Sequence, residues 1–543
     1  MFYLHKLLGY KYFLLALIVV LSVFLRFYQL SSTPISLNPD ELAIGYNAYS
    51  ILTTGADEWG DKLPLTLKSF GDWKLPVYPI TVTPLIKIIG LNELAVRIPS
   101  AAAGVLMVIL IYNISLLLFK NKKIATISAL FMAVSPWAVF FSRGAYEPNF
   151  AVMLYMAALF FFLKFIANNN SKFIITSSIL FGLTLFTYHP FLVFTPLFIL
   201  VLVICYKKEI LRNRKFIYPA LILLFFGILT LFSLSQGSGE KLSSVGVFNN
   251  ANVVYQRAEK LRSDPSNESI IIKKLLYNKY VVVPYQIGQN YLLSFSPAFL
   301  FDGETTKLFY SIGSFGYLYL IDAFFIFAGI IGLILKKEKA NKFLLLWFLI
   351  APISSAITVE APSVTRLIQM IPLYVLLSSY GAYFVFEKLK ERNLFFNIGI
   401  ILTSTLLLVN FIYFLDSYFV HMNYQRARFF HYGYKEAVLV SNKYPGYKVV
   451  MVGPQNFPYI SFLFYKKYDP NLFRKDVSYY PPTHEGFYLV KSFGEYSFVY
   501  NIDRKKLRPN ILYIDNYVKG DKNIIFYPTG EPQFSYFTKE DIN

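Results

Sequence analysis

Cysteine is nearly missing from this chain: Cys205 stands alone among 543 residues, so no intrachain disulfide can form. Charge is scarce as well, at 15% of residues against 55% hydrophobic. A soluble chain of this length would divide into several domains with charged surfaces, and this composition excludes that arrangement. Residues 416–543 have no Gly-rich phosphate loop and no clustered ligands for a metal. His421, His431 and His484 are too scattered to read as a site and are expected in packing or surface roles. No internal repeat and no low-complexity tract stands out.

What is present is a succession of long apolar blocks separated by short basic clusters. Runs of about 18 or more apolar residues read as membrane-spanning helices. Eleven are expected: about 12–30, 97–119, 124–141, 150–167, two flanking Tyr188-His189-Pro190, 216–234, 308–335, one ending near Thr358, 367–386 and 395–415. The first follows Lys6 and Lys11, but it is long for a signal peptide and lacks a small-residue cleavage site, so it is read as a retained helix. The net charge of +20 sits mainly in the short gaps, where lysines and arginines anchor cytoplasmic loops. That placement argues against nucleic acid as a partner. Eleven spans with a cytoplasmic amino end put every lysine-rich short gap inside and leave Arg143 or Arg366 in the outer turns.

The fold expected is therefore a multi-pass α-helical membrane protein of the cell membrane, residues 1–415, followed by a small extracytoplasmic α/β domain, residues 416–543. Two large outer loops interrupt the spans, near 31–96 and 235–307. In the first, residues 40–54 and 76–90 suit interfacial helices, and Pro76, Pro79 and Pro84 make the second of these a poor span. In the tail, Lys448–Val452, Gly486–Val490 and Ile511–Ile514 are strand-like, with helical patterns over Tyr434–Lys443 and Pro458–Lys467. The tail lacks a catalytic constellation and is expected to tune acceptor access or stability. Asn267-Glu268-Ser269 fits a glycosylation acceptor.

The stretch Asn38-Pro39-Asp40-Glu41 opens the first outer loop and has two readings. Asn38 suits a helix N-cap, Pro39 the first helical position and Glu41 the third position of a capping box. Two adjacent carboxylates at a membrane surface also suit chemistry, one taking a proton while the other positions it. Further along, the outer face collects Lys68, Asp72, Lys74, Arg143, Glu147, His189 and Arg366.

Several stretches together resemble the membrane glycosyltransferases of the GT-C fold, in the protein O-mannosyltransferase and aminoarabinose-transferase branch. These are the acidic pair followed by Gly45-Tyr46-Asn47-Ala48-Tyr49-Ser50, the segment Phe70-Gly71-Asp72-Trp73-Lys74-Leu75-Pro76-Val77-Tyr78-Pro79, the segment Gly90–Ser100, and Ser142-Arg143 with Glu147. The resemblance covers about residues 10–230, and Thr358–Met370 more loosely. Leu75 replaces the first proline of that family's lysine segment, and Glu147 stands where relatives often carry Asp.

The resemblance implies transfer of a sugar from a polyprenyl-phosphate carrier to an acceptor hydroxyl or phosphate on protein, lipid or glycan. Such chemistry needs a carboxylate near the acceptor and cations near the phosphate. Asp40 is expected as the base of an inverting single displacement, with Glu41 positioning it or the acceptor. Lys74 is expected on the lipid phosphate, helped by Tyr78. Arg143 either pairs with Glu147 or meets substrate, Arg366 either meets the phosphate or anchors its helix, and His189 is a turn residue near the same face. No cofactor is required; Asp57, Glu58 and Asp61 are an acidic loop that a divalent cation would suit, but a solvated loop is expected there. The rival reading, a lipid transporter or flippase, requires ionisable residues in mid-span, and the spans hold almost none.

Overall fold

The computed structural model describes residues 2–62, 64–239, 245–248, 253–264, 269–303, 310–313, 315–336, 338–483 and 486–542. His484, Asn267 and Glu268 lie outside the described residues. Contacts group the chain into two units: Met1–Tyr28, Ser100–Ser142 and Tyr146–Leu415 in one, and Gln29–Pro99, Arg143–Ala145 and Asp416–Asn543 in the other.

The first unit is helical. Among the described residues, six helices are long and apolar enough to cross a membrane: Glu93–Phe119, Glu147–Asn168, Phe191–Arg212, Ile217–Gln236, Ile368–Leu389 and Asn393–Gln425. A seventh candidate is the pair Lys122–Val134 and Pro136–Ser142, bent by 54°. The bend has a chemical cause. Pro136 has no N–H to give the Met132 carbonyl and biases Ser135 out of the helical region, where it sits at φ −56°, ψ 124°. The buried Arg26 guanidinium takes over, donating to the Met132 and Ala133 carbonyls at 3.1 and 3.0 Å. Shorter apolar helices fill other expected spans: Phe13–Phe27, Ser171–Leu185 and Leu320–Leu335.

The span expected over 308–335 is corrected to a helix beginning at Leu320. Asp322 closes that helix start, accepting from the Tyr319 N–H at 3.1 Å and from the Ser378 hydroxyl at 2.7 Å. The loop near 235–307 carries helices over Val253–Ser263, Ile270–Leu276, Lys279–Leu293 and Pro297–Phe301.

The second unit joins the first outer loop to the tail. The loop contributes helices Pro39–Thr54 and Val77–Ile89 and a hairpin of β1 (Leu67–Ser69) and β2 (Asp72–Lys74). The tail forms a seven-stranded sheet from β3 (Lys448–Val452), β4 (Ser478–Tyr479), β5 (Val490–Phe493), β6 (Tyr496–Val499), β7 (Ile511–Asn516), β8 (Ile524–Phe526) and β9 (Pro532–Phe537). Its order is β4-β5-β6-β3-β7-β9-β8, with β3 parallel to β6 and β7 and the remaining pairs antiparallel. The strand expected over Gly486–Val490 begins only at Val490. Gly486 and Phe487 turn back on Thr483, and the Tyr488 N–H is spent on the Phe70 carbonyl at 2.8 Å.

One sheet face packs Val452, Ile502, Tyr513 and Phe537 together. The helix Pro458–Tyr465 packs Phe462 against Tyr496 and Phe498. Its Phe464 lies against Gly45 of the Pro39–Thr54 helix, where an added Cβ would stand 2.5 Å from the ring. The loop at 31–96, expected to stand with the spans, is thereby packed on the tail.

Within the helical unit, Leu320–Leu335 and Ile371–Leu389 approach backbone to backbone at Gly329 and Gly381. A Cβ on Gly381 would fall 1.8 Å from the Phe325 carbonyl oxygen. Small residues permit such close approach between apolar helices. Gly381→Ala should destabilise the protein by about 1–3 kcal/mol through overpacking. Gly227→Ala, with nothing within 4 Å of the new methyl, should not. Melting temperatures of both purified variants check this; equal stability would mean the helix pair has room to part.

Candidate active site

The Pro39–Thr54 helix starts as its sequence requires. Asn38 is the N-cap, its Oδ1 accepting from the Glu41 N–H at 3.0 Å, and Glu41 Oε2 accepts in return from the Asn38 N–H at 3.1 Å. Glu41 does more than cap. Its carboxylate is 0% exposed and faces the equally buried Arg97, with Arg97 Nε at 3.0 Å from Oε1 and Nη2 at 3.3 Å from Oε2. The Ala145 N–H also donates to Oε1 at 2.8 Å. Arg97 spends its other donors on the carbonyls of Leu30, Pro34 and Ser36 at 3.0, 2.9 and 2.7 Å. Glu41, expected beside Asp40 at the reacting centre, is thus a buried anchor. Its oxygens are consumed by Arg97 and by backbone donors.

Asp40 is not used by the cap. Its side chain is 49% exposed, and Oδ1 accepts from the ammonium of Lys74, which is only 5% exposed. Lys74 is the last residue of β2, where it pairs with Leu67, and the Phe70 ring lies 5.8 Å from its Nζ. A hairpin strand and a helix start thus bring together two residues 34 positions apart.

Tyr78, expected beside Lys74 on the phosphate, is corrected to a buried role: it is 0% exposed and its hydroxyl donates to the Val96 carbonyl at 2.9 Å. Arg143 is buried in the same unit, donating to the Thr33 carbonyl at 3.0 Å, with Phe419 and Tyr418 rings 4.7 and 5.4 Å from its guanidinium carbon. Burial lowers its pKa. The remaining expected residues belong to the helical unit. Glu147 opens the helix Glu147–Asn168. His189 sits buried in the turn before Phe191–Arg212, its carbonyl accepting from the Leu192 N–H at 2.9 Å. Arg366 braces its own loop, donating to Thr358 Oγ1 at 2.7 Å and the Glu360 carbonyl at 3.1 Å.

Two residues near Asp40 were not singled out on the sequence. Arg97 had a signal: an arginine at the mouth of an apolar helix needs a buried carboxylate if it is not to reach water. His431 had none, being 391 positions from Asp40. It lies where the charge of Asp40 acts on it, and burial brings its pKa down to about 4. It is therefore a neutral imidazole, and its Nδ1 is buried with no hydrogen-bond partner among the described residues.

The acidic loop is also corrected: Asp61 is exposed, but Asp57 and Glu58 are not solvated. Asp57 and Glu58 are 0% and 2% exposed. Asp57 Oδ1 accepts from the Trp59 and Asp61 N–H groups, both at 2.9 Å. Glu58 accepts from the Tyr459 hydroxyl at 2.7 Å and from Ser69 Oγ at 3.4 Å, and burial pushes its pKa up to about 8. Among the described residues, no group of three or more His, Cys, Asp or Glu side chains is arranged to hold a metal ion.

Two outcomes follow from these buried charges. Arg97→Met leaves the Glu41 carboxylate buried without a countercharge and should cost about 3–5 kcal/mol of stability. The double variant Glu41→Gln/Arg97→Met should recover part of that loss; an undiminished melting temperature in Arg97→Met would remove the pair from its anchoring role. Glu58 has a raised folded-state pKa, so its favourable contribution is complete below about 4.5 and is lost as pH rises through about 8. Glu58→Gln should therefore flatten the decline in melting temperature across that window and be the more stable form at its upper end.

Residues 74–233 match the family described as dolichyl-phosphate-mannose-protein mannosyltransferase. No curated protein sequence matches the chain. The fold is similar to that of ArnT from Cupriavidus metallidurans bound to undecaprenyl phosphate, with a TM-score of 0.51 at 12% identity over 84% of each chain. The apo state of the same protein gives 0.51 at 10% identity, covering 97% of this chain and 98% of that one. Archaeal oligosaccharyltransferase AglB from Archaeoglobus fulgidus gives 0.49 at 14% identity, covering 84% of this chain and 63% of that one. Residues 74–233 thus resemble the dolichyl-phosphate-mannose-protein mannosyltransferase family, and the chain's fold is similar to that of ArnT.

Proposed function

We propose that the chain moves a sugar from a polyprenyl-phosphate carrier to an acceptor hydroxyl or phosphate at the outer face of the cell membrane, in one inverting displacement. The observation that carries this reading is the Asp40–Lys74 pair. Of the two carboxylates in the opening stretch, Asp40 is the one left half-exposed, and a cation stands against it.

The acceptor oxygen attacks the anomeric carbon from the side opposite the phosphate. As that bond forms, the anomeric carbon–phosphate oxygen bond breaks, and its electron pair leaves with the phosphate. The proton of an acceptor hydroxyl passes to Asp40. A carboxylate held by an ammonium is a weaker base than a free one. In this reading the donor phosphate competes with Asp40 for Lys74, so loading the donor releases the base. The helix N-terminus at Pro39 adds a positive dipole end to the same spot. Lys74 and this dipole supply the charge the departing phosphate needs, so the step uses no metal or other cofactor. The acceptor is a protein, lipid or glycan.

The topology proposed is eleven spans with the amino end inside and residues 416–543 outside. The alternation of lysine-rich and nearly uncharged gaps supports it.

Asp40→Asn cannot accept a proton, and losing a general base lowers rate about 10²–10⁴-fold. That variant should fold and bind the donor normally yet transfer almost nothing. Lys74→Ala should show the complementary fault, weakened donor binding. Donor affinity and single-turnover transfer in purified protein check both; near-normal transfer by Asp40→Asn would return this stretch to a helix start alone.

A further inference from the structure

The β1–β2 hairpin carries a second lysine whose surroundings the transfer step does not use. Side chains alternate faces along a strand, and cross-strand partners share one. Lys68 pairs with Trp73, while Leu67 pairs with Lys74, so Lys68 and Lys74 lie on opposite faces of the same ribbon. The Lys68 ammonium sits 4.3 Å from the Trp59 ring centre, 4.6 Å from that of Tyr488 and 5.5 Å from that of Trp73. Tyr479 backs Trp59 in a stacked pair at 5.1 Å. Lys68 and these four rings are all partly exposed. Among the described residues, no acceptor and no carboxylate meets the Lys68 ammonium.

The backbone builds this arrangement. Phe70 and Gly71 both have positive φ, at 59° and 90°, as a two-residue hairpin turn requires. A Cβ on Gly71 would meet the Gly486 carbonyl at 2.5 Å and the Tyr488 ring at 2.8 Å, so glycine lets the turn press on Tyr488. The Tyr488 N–H bond to Phe70 locks that contact, and Asp57 fixes the Trp59 backbone.

An ammonium has three donors, and ring faces satisfy its charge without accepting them along its open side. A cage serving only to pack the loop would be filled as well by an apolar side chain. A fixed cation rimmed by flat aromatic faces matches a pyranose that carries an acid group. The C–H face of the sugar lies on a ring, and the anion meets Lys68. We propose that Lys68, Trp59, Trp73, Tyr479 and Tyr488 bind an acidic sugar unit of a glycan acceptor, remote from the reacting hydroxyl. The ribbon standing between this cage and the Asp40–Lys74 pair assigns it a remote unit instead of the transferred sugar. That assignment rests on the glycosyltransferase reading above.

The test uses the full chain in detergent, with tryptophan fluorescence as readout and glucuronic acid, glucose 6-phosphate, glucose and inorganic phosphate as probes. Both acidic sugars should quench saturably, whether the acid is a carboxylate or a phosphate. Lys68→Met, which keeps the stem in the cage, should weaken both about tenfold or more, the loss of one charge-assisted contact. Lys68→Arg should retain binding, which separates a charge role from a packing one. Glucose binding as tightly as its phosphate would overturn the acid requirement, and inorganic phosphate binding as tightly would overturn the sugar. No quenching by either acidic sugar, or unchanged affinity in Lys68→Met, would overturn the site. Undecaprenyl phosphate binding, measured alongside, should be unaltered by Lys68→Met. Intact lipid binding with no sugar binding sinks this inference alone, whereas a native chain that binds no polyprenyl phosphate sinks the function proposed above.

Discussion

The second unit depends on one buried ion pair, Glu41 with Arg97. Taking two charges out of water costs several kcal/mol each, and attraction between them offsets this only when every remaining donor and acceptor is met. Here they are met by backbone. Arg97 gathers three carbonyls of the 30–36 turn, and Glu41 gathers the Asn38 and Ala145 N–H groups. One pair therefore caps the helix, folds the turn before it and holds residues 143–145. Asp40 inherits its place from that arrangement, next to an immovable neighbour and with half its surface open.

The hairpin distributes charge by the same economy of geometry. Strand alternation sends Lys74 to a carboxylate on one face and Lys68 to aromatic rings on the other. Between them Ser69 reaches the buried Glu58, whose other oxygen meets Tyr459 from the tail. The loop carrying Lys74 is thus fastened to the tail by hydrogen bonds and by the Phe70 contacts with Phe457 and Tyr459. The tail thus fixes the loop that bears Lys74.

Local signals in the sequence were legible where they are local in physics. The cap at Asn38, the helix at 434, the strands at 448 and 511 and the helices at 40 and 77 depend on residues a few positions apart. Where a partner far along the chain competes, the reading failed. Tyr488 gives its N–H to Phe70 and so leaves no strand at Gly486. Tyr78 turns inward because Val96 offers its hydroxyl an acceptor. Glu58 looks like a solvated loop residue until Tyr459, 401 positions away, donates to it.

The sequence by itself determined the class of the molecule, the apolar helices, the helix start at Asn38 and the presence of an acidic pair followed by a lysine segment. Those follow from transfer free energies and from hydrogen bonds within one turn of chain. Only the tertiary structure decided which member of the pair is buried and which is open. It decided equally that Lys74 meets Asp40 and that Lys68 meets aromatic rings. Each of those outcomes depends on burial and on charges brought together across tens to hundreds of residues, and no local pattern encodes the desolvation that selects among them.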